Sequence, residues 1–106
     1  MSITQEQKKH FRTLGHKLNP LVTVASKGLT ENLQLEVDRA LEDHELIKVK
    51  FAISDRELKK QLIRELCEIV EAQSIQEIGH IVLIYRPSLE PNPKLSNILR
   101  ANEQQR

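Results

Sequence analysis

The segment HELIKVKFAIS, residues 44–54, is the clearest strand in the chain. Its apolar side chains fall on one face of an extended backbone: Ile47, Val49, Phe51 and Ile53. The opposite face carries Lys48 and Lys50, and this alternation is typical of a half-buried β-strand. Since one strand cannot form a core by itself, the rest of the chain has to supply strands and helices that cover the apolar face.

Three predicted helices and three further strands surround this segment. The first helix covers about residues 5–16, the second follows an N-cap at Thr30, and the third runs from a capping box, Ser54 to Glu57, to about residue 72. The strands cover residues 21–24, 73–78 and 81–86, with Gly79-His80 as a two-residue hairpin turn. The order α-β-α-β-α-β-β predicts an α/β fold, a four-stranded mixed sheet with about three helices and two right-handed crossovers.

The chain length of 106 residues suits one domain. Residues 1–88 hold the predicted elements, and residues 89–106 predict a flexible tail with at most a helical turn near residues 95–99. Cys67 is the one cysteine, which excludes an intrachain disulfide and fits a reducing compartment. The sequence shows neither a signal peptide nor an apolar run of membrane-spanning length, so we expect a cytoplasmic protein with no membrane partner.

Charged residues are sorted along the chain, although the net charge is only +1. Residues 1–30 and 46–64 are basic, residues 31–45 and 65–77 are acidic, and the remaining residues are weakly basic. Blocks of this kind can form a basic face and an acidic face, which decide partners more than the net value does. The alternative is that the blocks neutralise one another across the fold.

Recognisable catalytic and metal-binding motifs are missing from the sequence. The four histidines lack the spacing of a metal site, and Cys67 has no second thiol to accompany it. No serine lies in a nucleophile elbow, and neither a P-loop nor a dinucleotide-binding glycine pattern occurs. We therefore expect a protein that is not an enzyme and that needs no metal or cofactor.

The turn Ala25-Ser26-Lys27-Gly28 joins the first strand to the second helix. A glycine at its end permits a positive φ and the close approach of another backbone. The helix N-terminus that follows offers a favourable dipole and free amides, here those of Leu29 and Thr30. Lys27 adds a positive charge, so the expected ligand is a phosphate group. An ordinary tight turn with a solvated lysine is the alternative.

Four stretches of the sequence, KGLTEN, HELIKVKF, SDRELK and IGHIVLIYRP, resemble the YhbY family of single CRM (chloroplast RNA splicing and ribosome maturation) domains. The resemblance implies a fold like the C-terminal domain of bacterial translation initiation factor three. It also implies RNA binding, association with precursors of the large ribosomal subunit, and a Gly-x-x-Gly loop like that of KH domains. In this chain Ala25 stands at the first glycine position of that loop, which puts the affinity and plasticity of the loop in question.

The primary hypothesis is a monomeric, non-enzymatic protein that binds ribosomal RNA through its phosphate backbone during large-subunit assembly. The predicted RNA contacts are Ser26, Lys27, Gly28, Leu29, Thr30, Lys48, Lys50, Lys17, Arg56, Tyr85 and Arg86. The alternative hypothesis is a protein-interaction module, whose basic strand face docks an acidic partner and whose acidic second helix docks a basic one. The sequence leaves open which RNA segment and which assembly step are involved.

Overall fold

The computed structural model describes residues 3–104 of the protein, and its side chains within residues 3–100. The elements are α1 (Gln5–Gly15), β1 (Pro20–Val24), α2 (Glu31–His44), β2 (Leu46–Phe51), α3 (Arg56–Ile69), β3 (Gln73–Ile78), β4 (Ile81–Tyr85) and α4 (Asn97–Gln104). The predicted order of three helices and four strands is confirmed, and α4 is an addition. Within the described residues, no helix is long and apolar enough to cross a membrane.

The four strands form one mixed sheet in the order β1-β2-β4-β3. β1 is parallel to β2, and β4 is antiparallel to both of its neighbours. Two backbone hydrogen bonds join the strand ends at the carboxyl end of β2. The amide of Ala52 donates to Val24 O (2.8 Å), and the amide of Phe51 donates to His80 O (2.7 Å). Residues 25–30, 52–56 and 79–80 therefore meet at one end of the sheet, which we call the loop end.

The main core lies on the face of the sheet that α2 and α3 cover. Each of the two helices contributes two buried side chains that pack against the strands: Val37 and Leu41 from α2, and Ile63 and Leu66 from α3. The apolar face predicted for residues 44–54 is confirmed, because these four side chains are buried in this core: Ile47, Val49, Phe51 and Ile53. The strand pattern of the sequence therefore fixes which side of the sheet α2 and α3 occupy.

A smaller core lies on the opposite face, beneath α1. Its buried members are Phe11, Leu46, Ile75 and Leu83, and α4 adds Ile98 at its margin. Gly15, the last residue of α1, lies so close to the sheet that a Cβ added there would be 2.7 Å from Leu83 Cδ2. The absence of a side chain at Gly15 thus lets the end of α1 sit directly on Leu83.

The N-cap of α2 is Thr30, as predicted, and that of α1 is Thr4. The predicted N-cap of α3 is wrong: Asp55, not Ser54, fills this position. Asp55 Oδ1 accepts hydrogen bonds from the amides of Glu57 (3.0 Å) and Leu58 (3.2 Å), so the helix begins one residue later. A single carboxylate thereby satisfies two of the amides that a helix start leaves free.

The C-terminus of α3 comes earlier than the predicted residue 72. Glu71 adopts a left-handed conformation, with a φ of +54°, and the amide of Ala72 donates to Cys67 O (2.9 Å). This hydrogen bond, together with a left-handed residue just before its donor, is a common way to end a helix, and the left-handed residue is usually glycine. A glutamate at this position gives no sequence signal for the end of the helix.

The segment after Pro87 is held at the end of the sheet opposite the loop end. His44 Nδ1 donates to Leu95 O (2.9 Å), and Asn97 Nδ2 donates to Leu46 O (2.6 Å). The predicted helical turn near residues 95–99 is thus part of a longer helix, α4. The division of the chain at residue 88 and the flexibility of the tail stay predictions, and residues 1–2 and 105–106 lie outside the described residues.

Buried Glu45 organises the tail end, which comprises residues 44–46, 85–88 and 95–98. Its carboxylate accepts from the hydroxyl of Ser96 (2.7 Å) and from the amide of Ser88 (2.8 Å). Glu45 also ends α2 with a φ of +63°, so the chain turns sharply into β2. Three consecutive residues therefore hold the tail: His44 through its imidazole, Glu45 through its carboxylate and Leu46 through its backbone carbonyl.

Candidate nucleic-acid interface

The turn at the loop end is closed by the amide of Gly28, which donates to Ala25 O (2.8 Å). Gly28 has a φ of +71°, a conformation that glycine adopts without strain. Among the described residues, Glu45 and Glu71 are the non-glycine residues with positive φ, so Ala25 has an ordinary backbone conformation. Alanine at the first position of the turn is therefore compatible with its formation.

The turn is open to an approaching ligand. A Cβ added at Gly28 would meet no atom within 4 Å, and Ser26 and Lys27 are both exposed. The amide of Leu29 has no acceptor among the described residues, whereas the amide of Thr30 donates to Gly28 O (3.1 Å). Of the two amides predicted to hold a phosphate, only that of Leu29 is free to do so in this conformation.

Thr30 has a different part in the turn from the one predicted. Its hydroxyl accepts from the amide of Leu33 (3.2 Å), which caps the N-terminus of α2. Thr30 therefore orients the helix, and the positive end of the helix dipole, toward the surface beside Gly28.

Two of the predicted lysines lie on β2. Lys50 is exposed and is paired with Thr23 at the carboxyl end of β1, next to the turn. Lys48 lies two residues farther from the turn, half-buried beside Leu83. Both side chains are on the face of the sheet that carries α1, because residues paired directly across strands point to the same side.

Arg56, the first residue of α3, completes the predicted group at the loop end. Lys59, one turn later, donates from Nζ to Gly79 O (3.0 Å) and so lies beside the β3–β4 hairpin. Lys59 is missing from the predicted contacts, although its spacing of three residues from Arg56 places both on one face of the helix. That spacing is the signal that could have identified it.

The cations of the loop end are free of carboxylate partners. Among side chains of residues 3–100, both salt bridges belong to Arg86, which pairs with Asp38 and Glu42. Lys27, Lys50 and Arg56 therefore keep their charge available to a ligand. Among side chains of residues 3–100, none of these three cations is neutralised by a direct ion pair.

Three of the predicted contact residues lie away from the loop end. Lys17 precedes β1, and because β1 is five residues long, about 16 Å of strand separates it from the turn. Tyr85 and Arg86 lie at the carboxyl end of β4, which is the tail end of the sheet. The structure therefore does not bring Lys17, Tyr85 and Arg86 together with Lys27.

Arg86 is engaged within the fold. Its Nη1 lies 2.7 Å from Asp38 Oδ1 and donates to Val70 O (3.0 Å), and its Nη2 donates to Asp38 O (3.1 Å) and Glu42 Oε2 (3.3 Å). The guanidinium thereby ties α2 to the end of α3. With these contacts in place, little of its hydrogen-bonding capacity remains for a phosphate.

Tyr85 packs against Phe11, with ring centroids 4.5 Å apart and ring planes tilted by 36°. Burial, and secondarily the negative charge of Glu45, raises the pKa of the Tyr85 hydroxyl above its usual value. A ring that is stacked on Phe11 in this way has one face occupied already, which leaves less surface for a nucleotide base.

Catalytic and metal-binding groups are not evident at this surface. Within the described residues, no group of three histidine, cysteine or carboxylate side chains could hold a metal ion. Burial raises the pKa of the Cys67 thiol to about 11, so at neutral pH it is protonated and a poor nucleophile. The cations of the loop end and the free amide of Leu29 are instead suited to holding an anion.

Comparison with known proteins finds a family model and relatives that are named as RNA-binding proteins. The family model for the CRS1/YhbY (CRM) domain matches residues 3–86. A Pseudomonas aeruginosa protein named "Probable RNA-binding protein" is 49% identical over 100 residues, covering 94% of this chain and 96% of the relative. A Haemophilus influenzae protein named "RNA-binding protein" is 43% identical over 94 residues, covering 89% and 95%.

A solved structure agrees with these sequence matches. The solution structure of a hypothetical protein of Staphylococcus aureus, described as a candidate RNA-binding protein, matches with a TM-score of 0.72 and 35% sequence identity. The match covers 84% of this chain and 93% of that one. The family resemblance seen in the four sequence stretches is thus confirmed, and the chain belongs to the CRS1/YhbY (CRM) domain family.

Proposed function

We propose that this protein binds RNA through the phosphate backbone at the loop end and does so without enzymatic activity. The observation that carries the proposal is the group of unpaired cations around an open, glycine-ended turn: Lys27, Lys50 and Arg56, with the free amide of Leu29. Phosphates in a chain match such a group, because each cation can neutralise one of them and release counterions.

The names of the relatives support RNA as the ligand. The resemblance to the YhbY family supports a finer proposal: the RNA is ribosomal, and the protein acts as a cytoplasmic monomer on precursors of the large subunit. Phosphate contacts alone carry little sequence information. Recognition of one ribosomal site would therefore depend on the shape of the RNA and on contacts beyond the turn.

Replacing Lys27 with glutamate tests the proposal directly. We expect Lys27→Glu to weaken binding of an RNA fragment by at least about tenfold at low salt, since an attraction becomes a repulsion beside the phosphate. The side chain is exposed and has no salt bridge to any side chain of residues 3–100, so the free energy of unfolding should change by less than about 0.5 kcal/mol. Filter binding and thermal unfolding measure the two effects.

Lys94→Glu provides the matched control, because Lys94 is an exposed lysine in the tail segment and the change in charge is the same. Equal losses of affinity in the two variants would mean that net charge, and not the turn, governs binding. In cells, the wild type should sediment with large-subunit precursors and Lys27→Glu should shift to free fractions. A wild type found only in free fractions would remove the ribosomal part of the proposal.

A pull-down before and after nuclease treatment separates RNA binding from a protein-interaction module. Partners that are lost when RNA is digested support the proposal. Partners that remain bound, and that Lys27→Glu does not release, support direct protein contact instead.

A further inference from the structure

One row of side chains crosses all four strands at the loop end. Thr23 of β1 pairs with Lys50 of β2, Lys50 pairs with Ile81 of β4, and Ile81 pairs with Ile78 of β3. Directly paired residues point to the same face of a sheet, so these four side chains form a continuous row. We call these four residues the uncovered row, because α1 does not extend over them.

Helix α1 covers this face of the sheet but stops short of the row. Gly15 of α1 lies over Leu83, and Phe11 packs with Leu46 and Ile75, which are nearer the tail end. The row at the loop end lies beyond these contacts. Thr23, Lys50 and Ile78 are accordingly exposed, and Ile81 is half-buried.

The apolar half of the uncovered row has no partner in the described part of the fold. Ile78 exposes 58% of its surface on the edge strand β3, although isoleucine is among the residue types most often buried. It lies beside Ile81, so the two side chains form a small apolar surface. A ligand with flat apolar faces would bury this surface.

The other half of the row consists of Thr23 and Lys50, so its charge is positive. The strand residues placed on this face by their pairing or by the smaller core are Pro20, Thr23, Leu46, Lys48, Lys50, Gln73, Ile75, Gln76, Ile78, Ile81, Leu83 and Tyr85, and none carries a carboxylate. Glu77 pairs with Val82 and therefore lies on the opposite face. Lys50 and the nearby Lys27 would attract a polyanion to this surface and repel a basic partner.

We propose that the uncovered row holds unpaired nucleotides of a single-stranded RNA segment, with bases against Ile78 and Ile81 and phosphates beside Lys50 and the turn. This inference rests on the proposed RNA-binding function and specifies its substrate as unpaired RNA. Three strand spacings make the row about 14 Å long, which accommodates a short run of nucleotides.

Single-stranded RNA fits the row better than a duplex does. The bases of a duplex are stacked on one another, so their faces are closed to Ile78 and Ile81, and only the phosphates can reach the lysines. An unpaired segment offers both a charged backbone and accessible apolar base faces. The uncovered row matches both properties, because it combines one lysine with two isoleucines.

The test compares Ile78→Ala with Ile69→Ala, a substitution of another exposed isoleucine, which lies on α3. The probes are an unstructured RNA oligomer, the same oligomer with abasic positions, and a duplex of the same sequence. We expect Ile78→Ala to weaken binding of the unstructured oligomer by about fivefold, because apolar contact with a base is lost. Binding of the duplex should not change, and Ile69→Ala should match the wild type on all three probes.

Two further readouts identify the cause of the loss. The effect of Ile78→Ala should persist at high salt, whereas the effect of Lys27→Glu should shrink, because only the latter is electrostatic. The losses from Ile78→Ala and from abasic positions should not add, since both remove the same contact. Circular dichroism of each variant checks that the overall secondary structure is retained.

The inference is overturned if Ile78→Ala binds the unstructured oligomer as tightly as the wild type does, or if abasic positions have no effect. If Lys27→Glu still weakens binding in that case, the proposed function survives and only the unpaired-RNA contact fails. If the wild type binds none of the three probes, both proposals fail together.

Discussion

The loop end and the tail end of the sheet both carry basic side chains, but they use them in opposite ways. At the tail end, Arg86 is surrounded by Asp38, Glu42 and two backbone carbonyls. At the loop end, Lys27 and Lys50 have no carboxylate partner in the described part of the chain. The positive charge is thus paired within the fold at the tail end and exposed to solvent at the loop end.

This difference shows that the acidic block of α2 has a specific structural task. Asp38 and Glu42 lie one helical turn apart and face the guanidinium of Arg86 together. Glu42 also accepts from the hydroxyl of Ser88 (2.8 Å), and Glu45 holds the next segment of the tail. These carboxylates stabilise the junction of α2, α3 and the tail, and they do so far from the turn at Gly28.

The largest effect on stability is expected from Arg86→Ala. The substitution removes the donor to Val70 O and the tie between α2 and α3, so we expect the free energy of unfolding to fall by about 2 kcal/mol. The affinity of the folded protein for RNA should stay the same. Chemical denaturation and filter binding measure the two quantities, and Arg39→Ala, an exposed arginine on the same helix, is the control.

The opposite result for Arg86→Ala would contradict the contrast between the two ends of the sheet. If Arg86→Ala leaves stability intact and reduces RNA affinity, the arginine belongs to the interface, as the sequence alone suggested. The ion pairs with Asp38 and Glu42 would then have to open when RNA binds.

A smaller effect is expected from Lys50→Gln at the loop end. Loss of one phosphate contact should weaken binding to every RNA sequence alike and lower the slope of log affinity against log salt by about one. The substitution should not alter stability, because the side chain is exposed and makes no salt bridge within the described part of the protein. A titration over several salt concentrations measures the slope, and Lys94→Gln should leave it unchanged.

The smallest expected effect concerns the ionisation of Tyr85 at the tail end. Burial is the main cause of its raised pKa and the charge of Glu45 is the second, so Glu45→Gln should lower this pKa only in part. The chain has one tyrosine and no tryptophan, which makes an absorbance titration specific for Tyr85. An unchanged pKa in Glu45→Gln would mean that the carboxylate does not act on the ring.

The same shift makes stability depend on pH in a defined direction. Since the folded state keeps the Tyr85 proton at a higher pH than the unfolded state does, this group stabilises the fold below its ordinary pKa of 10.0. That contribution is lost as the pH rises above this value. Unfolding measured on both sides of pH 10 in the wild type and in Tyr85→Phe isolates the contribution.

Local patterns were enough to predict most of the fold. The alternation in residues 44–54 identifies β2 and its buried face, and Thr30 with the turn before it identifies the start of α2. The position of Gly28 at a strand–helix junction likewise predicts an exposed turn with a positive φ. Each of these features depends on residues that are close together in the sequence.

Features that depend on contacts between distant residues could not be predicted in this way. Arg86 is 48 residues from Asp38, and Ser96 is 51 residues from Glu45, so nothing local in the sequence indicates either contact. Glu45 and Glu71, which end α2 and α3 with a positive φ, also give no sequence signal for the helix ends, because glycine is the usual residue at such positions. The uncovered row becomes visible only when the register of all four strands is known.

The parallel pairing of β1 and β2 has a consequence for how a protein of this shape can change. Together with the antiparallel pairing of β2 and β4, it gathers three short connections at one end of the sheet: residues 25–30, 52–56 and 79–80. Apart from Leu29 and Ile53, which pack in the main core, substitutions in these connections can reshape the surface offered to a ligand while the packing beneath stays intact. New binding preferences can therefore arise at this edge without compensating mutations elsewhere in the molecule.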